Sequence, residues 1–332
     1  MNYQTDGEIM NRIIGHHLIR EQLKRQIQQD AISHAYLFTG IAGIGKKKMA
    51  LDFAKTILCH DQEPPCGHCS VCKQIDRGSY PDLQVISSET SIKIAQVREM
   101  ISSLAVKPLS GEKRIIIIDD AATMTVEAQN SLLKSLEEPF SYNLFILLTQ
   151  TPESLLPTIR SRCQIYHFKP LESAEVAAVL QRETTFSEIE IAEVLVPAAG
   201  SVEKALYLLN HSDILEERVA ILRELYLLLK GDLQKIFVLS ERLSSDKSKS
   251  QEMLDFLILW FYEVSLCKKG FALPDGEEAG KVHEAFVKIL KDEKIEAINR
   301  TLFEMMERMK YNINLNLQWE KTFIQIIKIQ KG

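Results

Sequence analysis

The chain reads as an α/β protein built on a parallel sheet, followed by helical domains. Two patterns predict this. Up to about Phe168, short apolar runs alternate with segments of helical spacing, as in strands joined by crossover helices. After Pro170 almost every apolar residue falls at helical spacing, and strand-like runs become few.

The first strand is "HAYLF" (34–38), which runs through a glycine-rich turn into a helical pattern, "KMALDFAK". "LQVIS" (83–87) is the second, followed by "IAQVREMISSLAV" with helical spacing. "RIIIID" (114–119) is a nearly unbroken β-branched run, the composition of a strand covered on both faces. "NLFILLTQ" (143–150) and "QIYHF" (164–168) complete the set. Beyond them "ESAEVAAVLQRE" is one helix, and "EIEIAEVLVPAAG" is another, with Gly200 expected as its C-cap. Long amphipathic helices then run from about Ser212, with polar breaks near 244–250 and 273–280. The expected division is an α/β domain over 1–168, a small helical domain over 169–211 and a larger helical domain over 212–332.

Composition narrows the function classes. The 332 residues carry 40 basic and 45 acidic side chains, a net of −5, which argues against a surface that grips nucleic acid throughout, although a local basic patch stays open. No apolar run reaches the roughly 18 residues of a membrane span. The best candidate, Met253–Cys267, contains Asp255 and Glu263 and reads as a buried helix. The polar start "MNYQTDGEIMNR" has no secretory pattern. A cytoplasmic protein with reduced cysteines is therefore expected.

"GIAGIGKK" (40–47) has the form of a phosphate-binding loop between a strand and a helix. Gly40, Gly43 and Gly45 let backbone amides point at phosphate oxygens, and the helix N-terminus favours an anion. Lys46 would reach the outer phosphates. Position 47 normally supplies a hydroxyl to Mg²⁺, and this chain has Lys47. An ammonium has three donors and no lone pair, so it does not ligate a cation and its charge repels one. The alternative is that Lys47 swings into solvent and water replaces the lost ligand. On the partner strand, Asp119 stands where a carboxylate helps hold Mg²⁺.

Cys59, Cys66, Cys69 and Cys72 are spaced C-x6-C-x2-C-x2-C. Four thiolates on turns of this length suit one tetrahedral Zn²⁺, and an all-protein ligand set implies a structural site. Two disulfides or free thiols are the alternative. His68 is the rival ligand nearby, but four sulfurs already fill the shell. Cys163 and Cys267 are isolated and read as small core residues.

The stretch from Gln129 to Cys163, with "LLKSLEEP" and "LLPTIRSRC", resembles the bacterial clamp-loader branch of the AAA+ proteins. "SHAYLFTGIAGIGKKKMALDFAK", the cysteine cluster and "SYPDLQVI" are similar to the same branch. The resemblance is dense from about Ile14 to Ala205, with a weaker echo at 312–326. It implies a RecA-like ATPase-type domain with a zinc module, a small helical lid and a helical collar. The collar would join ATPase subunits and a delta subunit in a hetero-oligomeric ring of the DNA polymerase III holoenzyme that places a sliding clamp on primed DNA. The family's zinc module has a longer first spacing than the x6 here. In "SRC", the family's arginine, here Arg162, projects into a neighbour's nucleotide site, where a guanidinium stabilises the charge of the transferring phosphoryl group. The alternative for Arg162 is a surface arginine or a helix-end salt bridge, and Arg160 reads as solvated or structural.

Other positions depart from the hydrolysing pattern. The residue after Asp119 orients the attacking water and is Glu in hydrolysing relatives; here it is Asp120, one methylene shorter. The polar sensor at the end of the fourth strand maps to Gln150 instead of Thr or Asn, and the lid's sensor arginine maps near Lys204. The expectation is a stator with little or no hydrolysis of its own and doubtful ATP/Mg²⁺ binding. A hydrolysing motor subunit is the second expectation, for which Ser or Thr at 47 and extra C-terminal sequence would be characteristic. A zinc-containing nucleic-acid module is the third, but Cys59–Cys72 holds no Lys or Arg.

Overall fold

The computed structural model describes residues 13–88, 90–270 and 277–332. The polar start (1–12) and part of the break expected at 273–280 lie outside them. Two compact units are present: Met1–Val179 with Gly200–Glu203, and Leu180–Ala199 with Lys204–Gly332.

In the first unit the order is α1 (His17–Gln28), β1 (Ala35–Thr39), α2 (Lys46–Leu58), α3 (Ser70–Asp76), β2 (Leu83–Ile86), α4 (Ile94–Leu104), β3 (Arg114–Ile118), α5 (Val126–Glu137), β4 (Asn143–Thr149), α6 (Pro157–Arg160) and β5 (Gln164–His167). The five strands form one sheet in the order β2-β3-β4-β1-β5, and every pairing is parallel. All five lie where the apolar runs predict them. β1, β3 and β4 are buried along their whole length, which is why they read as continuous apolar runs and not as alternations.

The period-2 pleat sorts their side chains onto two faces. Tyr36, Phe38, Ile115, Ile117, Ile146 and Leu148 pack with Leu23 of α1 and Met49 and Phe53 of α2. Leu37, Ile116, Ile118, Phe145 and Leu147 pack with Val97 and Met100 of α4 and Leu132 of α5. The register Ala35↔Phe145 through Thr39↔Thr149 puts the C-terminal ends of β1 and β4 side by side. β3 ends at the same edge, because it pairs in parallel with β4. In open parallel sheets that edge is where ligands bind.

The helical series continues with α7 (Ser173–Glu183), α8 (Glu188–Ala198), α9 (Val202–Asn210), α10 (Ser212–Leu229), α11 (Lys235–Leu243), α12 (Lys247–Lys268), α13 (Glu277–Ile289), α14 (Asp292–Met309) and α15 (Leu315–Lys331). In α14 the buried residues Ile295, Ile298, Leu302, Met305 and Met309 recur every three or four positions, the stripe of an amphipathic helix. They share a core with Phe261, Phe286, Trp319 and Phe323. The apolar segment Met253–Cys267 lies within α12, with Glu263 buried and its carboxylate 3.5 Å from His283. Among the described residues no helix is long and apolar enough to cross a membrane.

One helix end differs from the expectation. α8 closes with Ala199, not Gly200, in the left-handed conformation at its C-cap. Gly200 follows, also at positive φ (80°), and the chain there packs on Pro170 and Leu171 so closely that a Cβ would lie 2.6 Å from the Leu171 carbonyl oxygen. Gly200 thus answers a close backbone approach, one step beyond the cap.

Candidate functional site

β1 delivers the chain into the glycine turn, and Gly40, Gly43 and Gly45 all adopt positive φ. Gly43 is the tightest point. A Cβ there would lie 2.4 Å from the Ser201 hydroxyl oxygen and from the Glu203 Cβ, and its carbonyl accepts a bond from the Val202 amide (2.9 Å). Gly45 is the N-cap of α2, with no side chain satisfying the helix's first amides. Those amides and the helix dipole are what a phosphate would meet.

Lys46 turns back beneath the loop. Its ammonium donates to the carbonyls of Gly40 (2.7 Å) and Ile41 (2.6 Å). Burial lowers its pKa, while Asp119, Asp120 and Glu203 pull the other way. Lys47, the next residue, keeps a half-exposed side chain and pairs with the partner strand: Nζ lies 3.0 Å from Asp119 Oδ2. The Asp119 amide donates to the Ile86 carbonyl (2.8 Å), which ties the carboxylate-bearing residue to β2. Asp120 follows at φ 53° and starts a short turn over Ala121–Thr123. The group Gly40, Gly43, Gly45, Lys46, Lys47, Asp119 and Asp120 is therefore assembled around one strand-end cluster.

That arrangement does not suit Mg²⁺. The carboxylate that would face the ion faces an ammonium, and position 47 offers no oxygen. Gln150 follows β4 at the same sheet edge with an exposed side chain. Lys204 belongs to the second unit, where desolvation and Arg218 lower its pKa against Asp255 and Glu252.

Arg162 stands apart from the loop. It follows α6 and is held by its own chain: Nη2 donates to Glu137 Oε1 (2.7 Å), and Nη1 donates to the Thr158 carbonyl (2.8 Å). Its side chain keeps 32% exposure. Gln129 fixes α5 against the segment that leads into α6. Its amide donates to the carbonyls of Met124 and Ser154, and its oxygen accepts from the Leu156 amide. Arg160 is half-buried.

Cys59, Cys66, Cys69 and Cys72 bring their sulfurs within 4.8 Å of one another. The Cys59–Cys69 and Cys66–Cys72 pairs are 3.9 and 4.0 Å apart, so none of the four is in a disulfide. Four sulfurs about 2.3 Å from one tetrahedral zinc would stand about 3.8 Å apart. The Cys69 amide donates to Cys66 Sγ and the Cys72 amide to Cys69 Sγ, contacts that stabilise thiolates. The cluster can hold a metal ion. Cys163 is partly buried against the second face of the sheet, and burial pushes its thiol up to about 12, as suits an inert core residue.

Three contributors escaped the sequence reading. His16 sets Nε2 2.7 Å from the Ile44 carbonyl and its ring edge-on to Phe168. Glu203 packs on Gly43, and Glu137 holds Arg162. The only signal for Glu137 was its place in "LEEP"; the other two depend on contacts distant in the chain.

Comparison with known proteins places these features in context. A family model described as "DNA polymerase III, delta subunit" matches residues 15–172. The chain is 28% identical to the DNA polymerase III subunit delta' of Bacillus subtilis, over 95% of this chain and 96% of that protein. It is 32% identical to the subunit delta' of Pseudomonas aeruginosa, over 60% of this chain and 63% of that one. It is also 30% identical to the subunit tau of Bacillus subtilis, over 89% of this chain and 56% of that protein.

Proposed function

From its resemblance to the delta prime subunits of bacterial DNA polymerase III, we propose that this chain is a clamp-loader subunit that acts as a stator. It hydrolyses little or no ATP itself and donates Arg162 to a neighbouring ATPase subunit, so that the sliding clamp is loaded on primed DNA. The observation that carries the stator reading is the Lys47–Asp119 pair, 3.0 Å apart where a hydrolysing site needs its metal. Phosphoryl transfer depends on positioning and charge neutralisation, and this loop lacks both the metal's hydroxyl ligand and a Glu at position 120.

Arg162 suits a role in trans. A guanidinium that is part-exposed, with a half-exposed carboxylate as partner, is held by an ion pair worth about 1 kcal/mol or less. A neighbour's phosphates would displace Glu137 readily, while Thr158 keeps the side chain aimed. The proposed division is a RecA-like domain over 1–168, a lid over 169–211 and a collar over 212–332, the last joining the ATPase and delta subunits. Cys59, Cys66, Cys69 and Cys72 would hold a structural Zn²⁺, which bridges the end of α2 to α3 and takes no part in chemistry.

In a complex reconstituted with its ATPase and delta partners, Arg162→Ala should leave assembly intact. The ATPase site it serves should slow by roughly 10³ or more, with a smaller fall in total DNA-stimulated turnover and in clamp loading. Unchanged loading would remove the arginine-finger role. The similarity to tau favours a second reading, a hydrolysing motor subunit of the same complex. ATP turnover by the isolated chain, abolished by Lys46→Ala, would establish that reading instead.

A further inference from the structure

We infer that Lys47 excludes divalent cations from the loop at Gly40–Lys47, and that this one side chain separates it from a metal-dependent nucleotide site. The inference rests on reading that loop as a phosphate loop. The rest of the loop is already in order: the glycines hold their left-handed turns, and Lys46 is drawn in by the Gly40 and Ile41 carbonyls. Within Gly40–Lys47 the departure lies at position 47, the metal's place. Lys47 is the second residue of α2, so its side chain leaves from a fixed backbone and reaches Asp119 Oδ2 at 3.0 Å.

Three carboxylates, those of Asp119, Asp120 and Glu203, act on Lys46, and Lys47 pairs with one of them, Asp119. An entering Mg²⁺ would have to expel an ammonium from Asp119. It would find no hydroxyl oxygen at position 47, and the displaced positive charge would stay on the same helix turn. Threonine at 47 removes the charge, frees Asp119 and supplies the oxygen in one change.

The test uses the isolated full-length chain. ADP binding is measured by calorimetry in EDTA and in Mg²⁺, and uptake of Mn²⁺ is followed by electron paramagnetic resonance. The wild-type chain should show no Mg²⁺-dependent ADP binding and leave Mn²⁺ free. Lys47→Thr should bind ADP at least about tenfold more tightly with Mg²⁺ than without. It should also take up about one Mn²⁺ per chain when ADP is present, and Asp119→Asn in that background should abolish both gains. Mg²⁺ tightening of ADP in the wild type would overturn the inference. So would a Lys47→Thr variant with wild-type circular dichroism and no metal-dependent gain. Lys46→Ala added to Lys47→Thr should eliminate binding; binding that persists would show that ADP sits elsewhere and overturn the phosphate-loop reading too. None of these outcomes depends on Arg162, so the arginine-finger role stands or falls separately.

Discussion

His16 enters α1 from a left-handed backbone (φ 51°) and spans the space between Phe168 and the Ile44 carbonyl. Burial lowers its pKa below the ordinary 6.5, with the bond to Ile44 opposing. The folded chain therefore favours neutral His16. Between pH values above about 6.5 and the lowered folded value, the unfolded chain binds the proton first, so this contribution to stability is lost as pH falls. Denaturant midpoints should fall between pH 7.5 and 5 by more in the wild type than in His16→Gln; equal falls would exclude His16 from the pH response. At this scale the sequence was readable in kind but not in contact. Lys47 was visibly the wrong chemical type for a metal ligand. Its pairing with Asp119 depends on β3 ending at the same edge as β1, which no local pattern reports.

At the scale of elements, the strands were legible because burial on both faces makes the middles of β1, β3 and β4 continuous apolar runs, with polar residues only at their ends. The end of α8 was less so, since a glycine demanded by packing on Leu171 imitates one demanded by a cap. α3 is the element most exposed to a test. It has seven residues, shorter than an isolated helix can sustain, and its N-cap is a cysteine sulfur accepting the Cys72 amide. Elemental analysis should find about one Zn²⁺ per chain. The double variant Cys69→Ser, Cys72→Ser should contain none, and amide exchange should rise first over α3. Zinc retained by that variant would place the metal elsewhere. Burial raises the thiols of Cys59 and Cys72, so with no ion bound these groups stay protonated near neutral pH.

The molecule as a whole holds separate apolar cores in its two units. The first flanks the sheet on both faces; the other gathers α10 to α15 around Phe261, Phe286, Trp319 and Phe323. Separate cores predict more than one calorimetric transition. Phe323→Ala should lower only the transition of the helical core, by roughly 3–5 kcal/mol. Loss of zinc should lower only the other. A single transition that both changes shift equally would show one cooperative unit. The change of core was legible in the sequence, because strand-like apolar runs alternate with helical segments up to Phe168 and almost only helical spacing follows Pro170. The exact partition was not, because Gly200–Glu203 joins the first unit through the Gly43 carbonyl, far earlier in the chain.

The Lys47–Asp119 pair also has a genetic side. Lysine codons become threonine codons by a single base change at the middle position. A gene encoding this loop therefore lies one point mutation from supplying the hydroxyl, while the glycines, Lys46 and Asp119 need no change. A population grown under mutagenesis offers a direct measure of whether the lysine is selected: threonine variants at codon 47 should arise at the rate of any single substitution and be lost when they compete with the parent.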